Sequence, residues 1–563
     1  MRCVAAVLLI FLAAGCNPVG QGEDTRLVSR LTPEKIDGKF VLRRANGAEP
    51  ETLDPHRAQS ANAANIIRDL YEGLVGAEPD GRLSPAAAQS WEVSADGKTY
   101  TFHLRPNARW SNGEAVTASD FVYGLRRCVD PATGSAYAEI LKPIQNAEEI
   151  VAGKLKPDAL AAQAANDHTL IVQLKAPTPY FLGMLAHTSS FPAWRKSIEA
   201  HGDQFTRPGK HVTNGAYRIK EWVTSSYILI ERNPYYWDNV NTRLDYVRYL
   251  PIENTDSEFK RYLSGEVDWT GGVPIPRLEA VRKQLKDQFY MFPTLGVYYY
   301  GLNTERAPFK GNTKLRQALT LAIDRKILVE KVTRGGEIPA YAWVPPGVHN
   351  YEQQRVVWAE WPRDKQLAEA RRLYQESGYA NDEPLELRYN TLEAHKKIAV
   401  AIAYMWKQAL GVKVRLINEE WKVFLQNVQY KKVTQVYRLG WFGDYDDANT
   451  FMELMYSRFG LNGTGYQSAE YDALVDKASY EADPAYRRKL LQAAERQLLN
   501  DLPIIPLYHY VNKHLMKPYV KGYAGNVLDH HYSKNLWIEW PLRAHSQELL
   551  SPPPEGGDTG EGA

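Results

Sequence analysis

Hydrophobic positions along this chain switch repeatedly between a period of two and a period near 3.6, the spacings of half-buried strands and amphipathic helices. Tyr100, Phe102 and Leu104 alternate with polar residues after an Asp96-Gly97 turn, so Trp91 to Leu104 predicts a hairpin. Tyr217 to Val223 and Tyr227 to Glu231 predict a second hairpin about Thr224-Ser225-Ser226. Thr117-Ala-Ser-Asp120 has capping-box spacing and opens a segment with Phe121, Leu125 and Cys128 on one face. Further helices follow: one after Asp364 that stops at Gly378, one over Glu393 to Leu410 capped by Gly411, and one from Asp483-Pro484. Val412 to Ile417 and Ile504 to Val511 read as strands. Irregular alternation of this kind argues for mixed α/β domains.

The one long uniform run is at the start. Val4 to Ala14 is apolar and uncharged, about half the roughly 20 residues a membrane-spanning helix needs. It follows Met1-Arg2 and ends in Leu12-Ala-Ala-Gly-Cys16, which reads as a signal peptide over residues 1–15 with a bacterial lipobox. Cys16 is then the acylated residue, and residues 16–30 a polar tether to a lipid bilayer. Residues 546–563 hold no core-forming content and predict a disordered tail. No other stretch is apolar enough to cross a membrane as a helix.

A chain of 563 residues is too long for a single core, so two or three domains are expected. A formal net charge of +2 gives no reason to expect nucleic acid as a partner. With 14 Trp and 35 Tyr, the chain is rich in rings that combine apolar area with one polar handle, as large binding surfaces require. The 3 Cys leave no disulfide framework and no metal-ligand spacing, so no cofactor or metal is expected. Nucleophile elbow, His-Glu-x-x-His, phosphate loop and dinucleotide fingerprint are all missing from the sequence, which points away from an enzyme. Asp444-Tyr-Asp-Asp447 lacks the Gly and Glu of a calcium loop, since Asn449 and Met455 stand in their places. His530-His531 reads as a surface loop, and His509 and His514 as structural.

Several motifs in one order carry a resemblance. Thr99 to Gly113, Val116 to Tyr123, Thr213-Asn-Gly-Ala-Tyr217, Glu231-Arg-Asn-Pro-Tyr-Tyr-Trp237, Leu315-Arg-Gln-Ala-Leu319 and Trp441-Phe-Gly-Asp-Tyr445 are similar to the signatures of family-5 bacterial extracellular solute-binding proteins. The match runs from about Phe40 to about Trp540. It implies an α/β, two-lobed periplasmic-binding-protein-like fold of the class II type, with mixed sheets and an extra domain inserted in the first lobe. The first lobe would take 27–61, 195–295 and 511–545, the inserted domain 62–194, and the second lobe 296–510. The implied activity is capture of short peptides for the permease subunits of an ABC importer in the inner membrane, by a monomer on the periplasmic side. Cell-wall (murein) peptides and a secreted peptidase are the alternatives.

The resemblance also assigns residues. Asp444 would pair with a peptide's α-ammonium. Gly440, Trp441 and Phe442 would pair with its backbone from one side, and the strand around Glu49 and Glu51 from the other, although Pro50 between them lacks an amide donor. Arg438, Arg306 and His395 would receive the carboxylate at different peptide lengths, since each residue adds about 3.3–3.6 Å. Trp421, Tyr123, Tyr299 and His187 would line side-chain pockets. The family's disulfide positions correspond to Gly296 and Phe442 here, so Phe442 is expected to fill that volume.

Overall fold

The computed structural model describes residues 27–458 and 462–541. The signal segment, Cys3, Cys16, most of the tether and the tail lie outside the described residues.

The hairpins form where turn chemistry permits a reversal. Ala88–Val93 pairs with Thr99–Leu104, and Gly97 at the turn takes φ +67°, which costs a residue without Cβ little. The buried side of the second strand is Tyr100, Phe102 and Leu104, as the alternation predicts. Both join Thr169–Gln173 and Ala162–Asn166 in a four-stranded antiparallel sheet, covered by the helix Ala118–Val129. At that helix's start the Asp120 carboxylate accepts the Thr117 N–H at 2.8 Å.

A five-stranded sheet orders Glu34–Ile36, Lys39–Ala45, Tyr246–Leu250, Tyr227–Arg232 and Tyr217–Val223. Its one parallel contact, between Lys39–Ala45 and Tyr246–Leu250, joins segments two hundred residues apart. The second half of the chain builds a six-stranded mixed sheet in the order Ile338–Pro339, Ile504–Leu515, Phe289–Leu302, Val436–Phe442, Leu385–Asn390 and Val414–Glu419. The helix Glu393–Leu410 has the bounds its periodicity predicts, with Gly411 beyond it at φ +72°. The helices Arg363–Glu376 and Pro484–Asp501 also stand where the pattern puts them.

Two long strands tie the halves together. Phe289–Leu302 and Ile504–Leu515 pair antiparallel, with the ladder broken between Pro293↔Val511 and Val297↔His509. One end is rooted in a core with Ala45, Leu250 and Tyr262 through Leu515. The other is rooted in the second core through Leu507, Val297 and Tyr300. The residues between, 294–296, lie outside the ladder, so the crossing carries little pairing at its middle. His530-His531 is not a surface loop: His531 is 5% exposed, because the loop packs against Trp269 and Tyr523.

Candidate ligand-binding cleft

The strand Val436–Phe442 is paired along its whole length to Phe289–Leu302, from Leu302↔Val436 to Gly296↔Phe442. On its other side Leu385–Asn390 reaches only Val436 and Tyr437. Residues 438–442 therefore keep one free edge. Backbone groups on a free edge are a template for another extended chain.

That edge runs into Asp444. The four residues Asp444 to Asp447 are pinned at three of four positions. Tyr445 is buried and stacks on Tyr180 at 4.9 Å, Asp446 accepts the His349 N–H at 2.9 Å, and Asp447 accepts both Arg487 Nη groups at 2.7 and 2.8 Å. Asp444 alone has no hydrogen bond or ion pair among the described residues. Its side chain is open to solvent, yet protein surrounds it closely enough that desolvation raises its carboxyl above the usual range. A concave wall gives both effects at once. Tyr137 faces it from the neighbourhood of the four-stranded sheet, close enough for the Asp444 charge, and more weakly that of Glu51, to raise the phenol, whose main upward push is burial.

The segment around Glu49 is irregular and follows the strand Lys39–Ala45. Its carboxylates do not point at a ligand: Glu49 accepts Trp222 Nε1–H at 2.6 Å and the Ser225 N–H at 3.2 Å. Glu51 accepts the N–H groups of Gln59 and Ser60 at 2.6 and 2.9 Å, before the helix Ala61–Leu70. They hold the segment in place, and residues 49–51 make no backbone–backbone hydrogen bond among the described residues. Pro50 is buried.

The expected cations separate on inspection. Arg438 has no carboxylate partner among the described residues. Its guanidinium lies 4.6 Å over Tyr298, with Nη1 donating to Asn390 Oδ1 at 3.1 Å and Nη2 to Tyr510 at 3.4 Å, and its Nε unused. His395 is 7% exposed, with Nδ1 3.2 Å from the Tyr298 hydroxyl. Burial, and then the Arg438 charge, push it down to about 4, so it is neutral at pH 7 and offers a hydrogen bond in place of the expected charge. Arg306 is exposed beyond the end of its strand and donates to the Lys432 carbonyl, not to any group at the Arg438 site.

The aromatic positions divide similarly. The Phe442 ring covers Gly296, where a Cβ would come within 2.7 Å of it, and lies 4.7 Å from Tyr510. It fills the volume of the absent disulfide, as expected. Trp441 Nε1–H donates to the Thr450 carbonyl at 2.8 Å. Gly440 leaves room for Tyr510, whose hydroxyl would be 3.1 Å from a Cβ there. His187 packs 4.7 Å from Tyr137, its Nδ1 taking the Ser189 N–H, and burial pushes it down to about 3. Trp421 begins the helix Trp421–Tyr430, and its side chain is outside the description. Two expectations fail. Tyr299 is 1% exposed and edge-on to Trp343 at 4.9 Å, so it belongs to the core. Tyr123 lines a separate cavity of about 920 Å³ with Arg57, Arg126 and Arg195, none of it contributed by the second half of the chain. Tyr137 and Tyr510 take their place beside Asp444 and Arg438. Tyr510 had a signal, since it alternates with Tyr508 along one strand; Tyr137 sits in an irregular stretch with no periodicity.

The site thus combines one open strand edge at residues 438–442, an exposed carboxylate at its end and a guanidinium with no carboxylate partner among the described residues. Comparison with known proteins agrees. Residues 82–463 match the family described as bacterial extracellular solute-binding proteins, family 5 middle, and the chain belongs to that family. It is 42% identical over 510 residues to the periplasmic oligopeptide-binding protein OppA of Salmonella typhimurium, covering 90% of this chain and 93% of that one. The unliganded open form of the periplasmic murein tripeptide-binding protein MppA superposes with a TM-score of 0.81 at 37% identity, over 91% of this chain and 99% of that one. The Haemophilus influenzae OppA complex with the peptide RPPGFSPFR gives 0.73 at 38% identity, over 90% and 100%. The fold is the two-lobed one of periplasmic binding proteins, and the chain is a binding protein, not an enzyme.

Proposed function

We propose that this protein captures short peptides in extended conformation, largely independent of their sequence, and delivers them to the permease of an ABC importer. The observation that carries this reading is the free edge of residues 438–442 running into the unpartnered Asp444. The α-ammonium pairs with Asp444, the main chain bonds to the open edge of residues 438–442 as in β-augmentation and to the segment around Glu49, and Arg438 takes the carboxylate. Side chains are left to a rim of Tyr137, Phe442, Tyr510 and His187. The lobes are 27–61 with 195–295 and 511–545, and 296–510, with 62–194 inserted; the guest is buried as they close. The protein works as a periplasmic-side lipoprotein held by acylated Cys16, and as a monomer. Labelling with a radioactive fatty acid, lost in Cys16→Ser, tests the anchor.

Calorimetry with a tripeptide and its N-acetylated form tests the core of the reading. The free tripeptide binds, and acetylation, which removes the ammonium, abolishes heat; equal binding of both forms overturns the assignment. Likeness to a murein tripeptide-binding protein supports a second reading, in which the guest is a cell-wall peptide with additional carboxylates. The mass of the ligand that copurifies separates the two.

A further inference from the structure

His514 sits on the crossing strand Ile504–Leu515, opposite Tyr290. Its Nδ1 is 2.9 Å from the Thr270 carbonyl oxygen and its Nε2 is 3.0 Å from Asp529 Oδ1. Both partners only accept, so both ring nitrogens carry a proton and the ring is a cation. The same Oδ1 takes a second hydrogen bond, from His531 Nε2–H at 2.8 Å. Burial opposes the charge on His514. The Asp529 carboxylate, the bond to it and the Thr270 carbonyl outweigh burial and hold the imidazolium above the ordinary histidine range. His531 is pushed the other way, to about 4, by burial. The other charged groups facing His514 are Arg44, 4.0 Å over Trp269, which works against the charge, and Glu258, whose own carboxyl burial pushes up to about 7.

Asp529 belongs to the loop Gly522 to His531, which touches every part of the molecule. Asn526 Nδ2 donates to the Pro79 carbonyl at 3.1 Å, beside the four-stranded-sheet region. Val527 and Leu528 pack against the second core, and Val527 sits on Gly347, where a Cβ would lie 2.9 Å from it. The Val527 carbonyl accepts the Leu295 N–H at 2.7 Å, and the Leu295 carbonyl accepts the Gly443 N–H at 2.8 Å. The next residue is Asp444. A continuous chain of hydrogen bonds and covalent links thus runs from His514 through Asp529, the loop, Val527 and Leu295 to the carboxylate of the cleft.

We propose that Asp529, acting through doubly protonated His514, is a positioning residue that clamps this loop to the crossing strand and makes ligand capture at Asp444 depend on pH. As pH rises through the His514 midpoint, one ring proton leaves to solvent. Either Nε2 then faces Asp529 acceptor to acceptor, or Nδ1 faces the Thr270 carbonyl in that way, and in both cases the ion pair between His514 and Asp529 is lost. The loop loosens, and with it the Val527–Leu295–Gly443 link. The pH-dependence of capture rests on the reading of the cleft as a peptide site; the clamp itself does not.

The test uses the full chain with ¹⁵N-labelled histidine, of which there are 13, and His514→Gln to assign one ring. In the wild type, ring ¹⁵N shifts at pH 7 show both His514 nitrogens protonated, with a midpoint above about 6.5. In Asp529→Asn the midpoint falls by about 1–3 pH units, the effect of losing an opposite charge in contact. Tripeptide affinity of the wild type declines between pH 7 and 9, and this decline is absent in Asp529→Asn. A neutral His514 at pH 7 overturns the clamp, whether or not either variant folds. A wild-type affinity profile retained in Asp529→Asn overturns the positioning role. Failure of any tripeptide to bind, with His514 doubly protonated, sinks the peptide reading and the coupling while leaving the clamp standing.

Discussion

Among the described residues nothing satisfies Asp444, and its proposed role rests on that. A desolvated acid close enough to Glu453 to help raise that carboxyl, and given no cation of its own among the described residues, is held ready for one from outside. In the closed, dry cleft, removing one member of such a pair costs about 3–5 kcal/mol, so Asp444→Ala weakens tripeptide binding by roughly two to three and a half orders of magnitude in calorimetry. The pH dependence has a definite sign. Desolvation raises the free carboxyl, and the guest's ammonium favours its charged form. Affinity is therefore full above the raised midpoint and is lost as pH falls through it. Proton release on binding, measured in buffers of different ionisation enthalpy, grows as pH falls from neutrality toward that raised midpoint; binding that strengthens on acidification below neutrality contradicts this assignment. At this scale the sequence was partly legible. Asp444 and Arg438 were found because a motif surrounds them, whereas Tyr123 and Tyr299 were misplaced, since a lone tyrosine reads alike in a core, a cavity or a cleft.

Elements were the most legible level, because the signals that make them are local. Periodicity, a proline in the first turn and a glycine beyond the last turn put the helices Glu393–Leu410 and Pro484–Asp501 in place. Pairing between distant strands carries no such signal. That Val436–Phe442 is shielded on one side and open over residues 438–442 on the other depends on where Leu385–Asn390 stops pairing. Register has one direct consequence. Gly296 and Phe442 face each other across the ladder, a separation a disulfide can span. The double substitution Gly296→Cys with Phe442→Cys is expected to form that bridge on oxidation and to stabilise the second lobe by about 2–4 kcal/mol. Oxidised and reduced samples that melt at the same temperature would show that the strands are not held in this register.

The whole molecule is built around neutral buried histidines. Burial pushes His56, His395 and His531 down to about 4 and His187, His211 and His509 to about 3, and holds His530 well below the ordinary value. The unfolded chain takes protons on these groups as pH falls through about 6.5, while the folded chain does not, so each contributes stability that acidification removes. Glu258, Glu453 and Glu495, all pushed up to about 7 by burial, act in the opposite direction between about pH 4.5 and 7, and the burial-raised carboxyls of Asp69, Asp120, Asp444 and Asp446 join them at lower pH, so these acids offset part of what the seven histidines contribute. The melting temperature should rise from pH 4 to about 6.5 and then level; a flat or falling profile over that range contradicts the buried-histidine account. Saturating tripeptide at 100 times Kd should add about 2.7 kcal/mol, read as an upward shift of the melt.

The sequence alone determined the class of fold, the bounds of its long helices and hairpins, and the motif in which the exposed Asp444 stands, because each is written in neighbours a few residues apart. Tertiary structure decided which strand edges stay open, that His395 is neutral, that Tyr137 and Tyr510 stand near Asp444 and Arg438, and that His514 and His531 meet on one oxygen of Asp529. Those properties depend on desolvation and on contacts between segments hundreds of residues apart, and no local pattern encodes either.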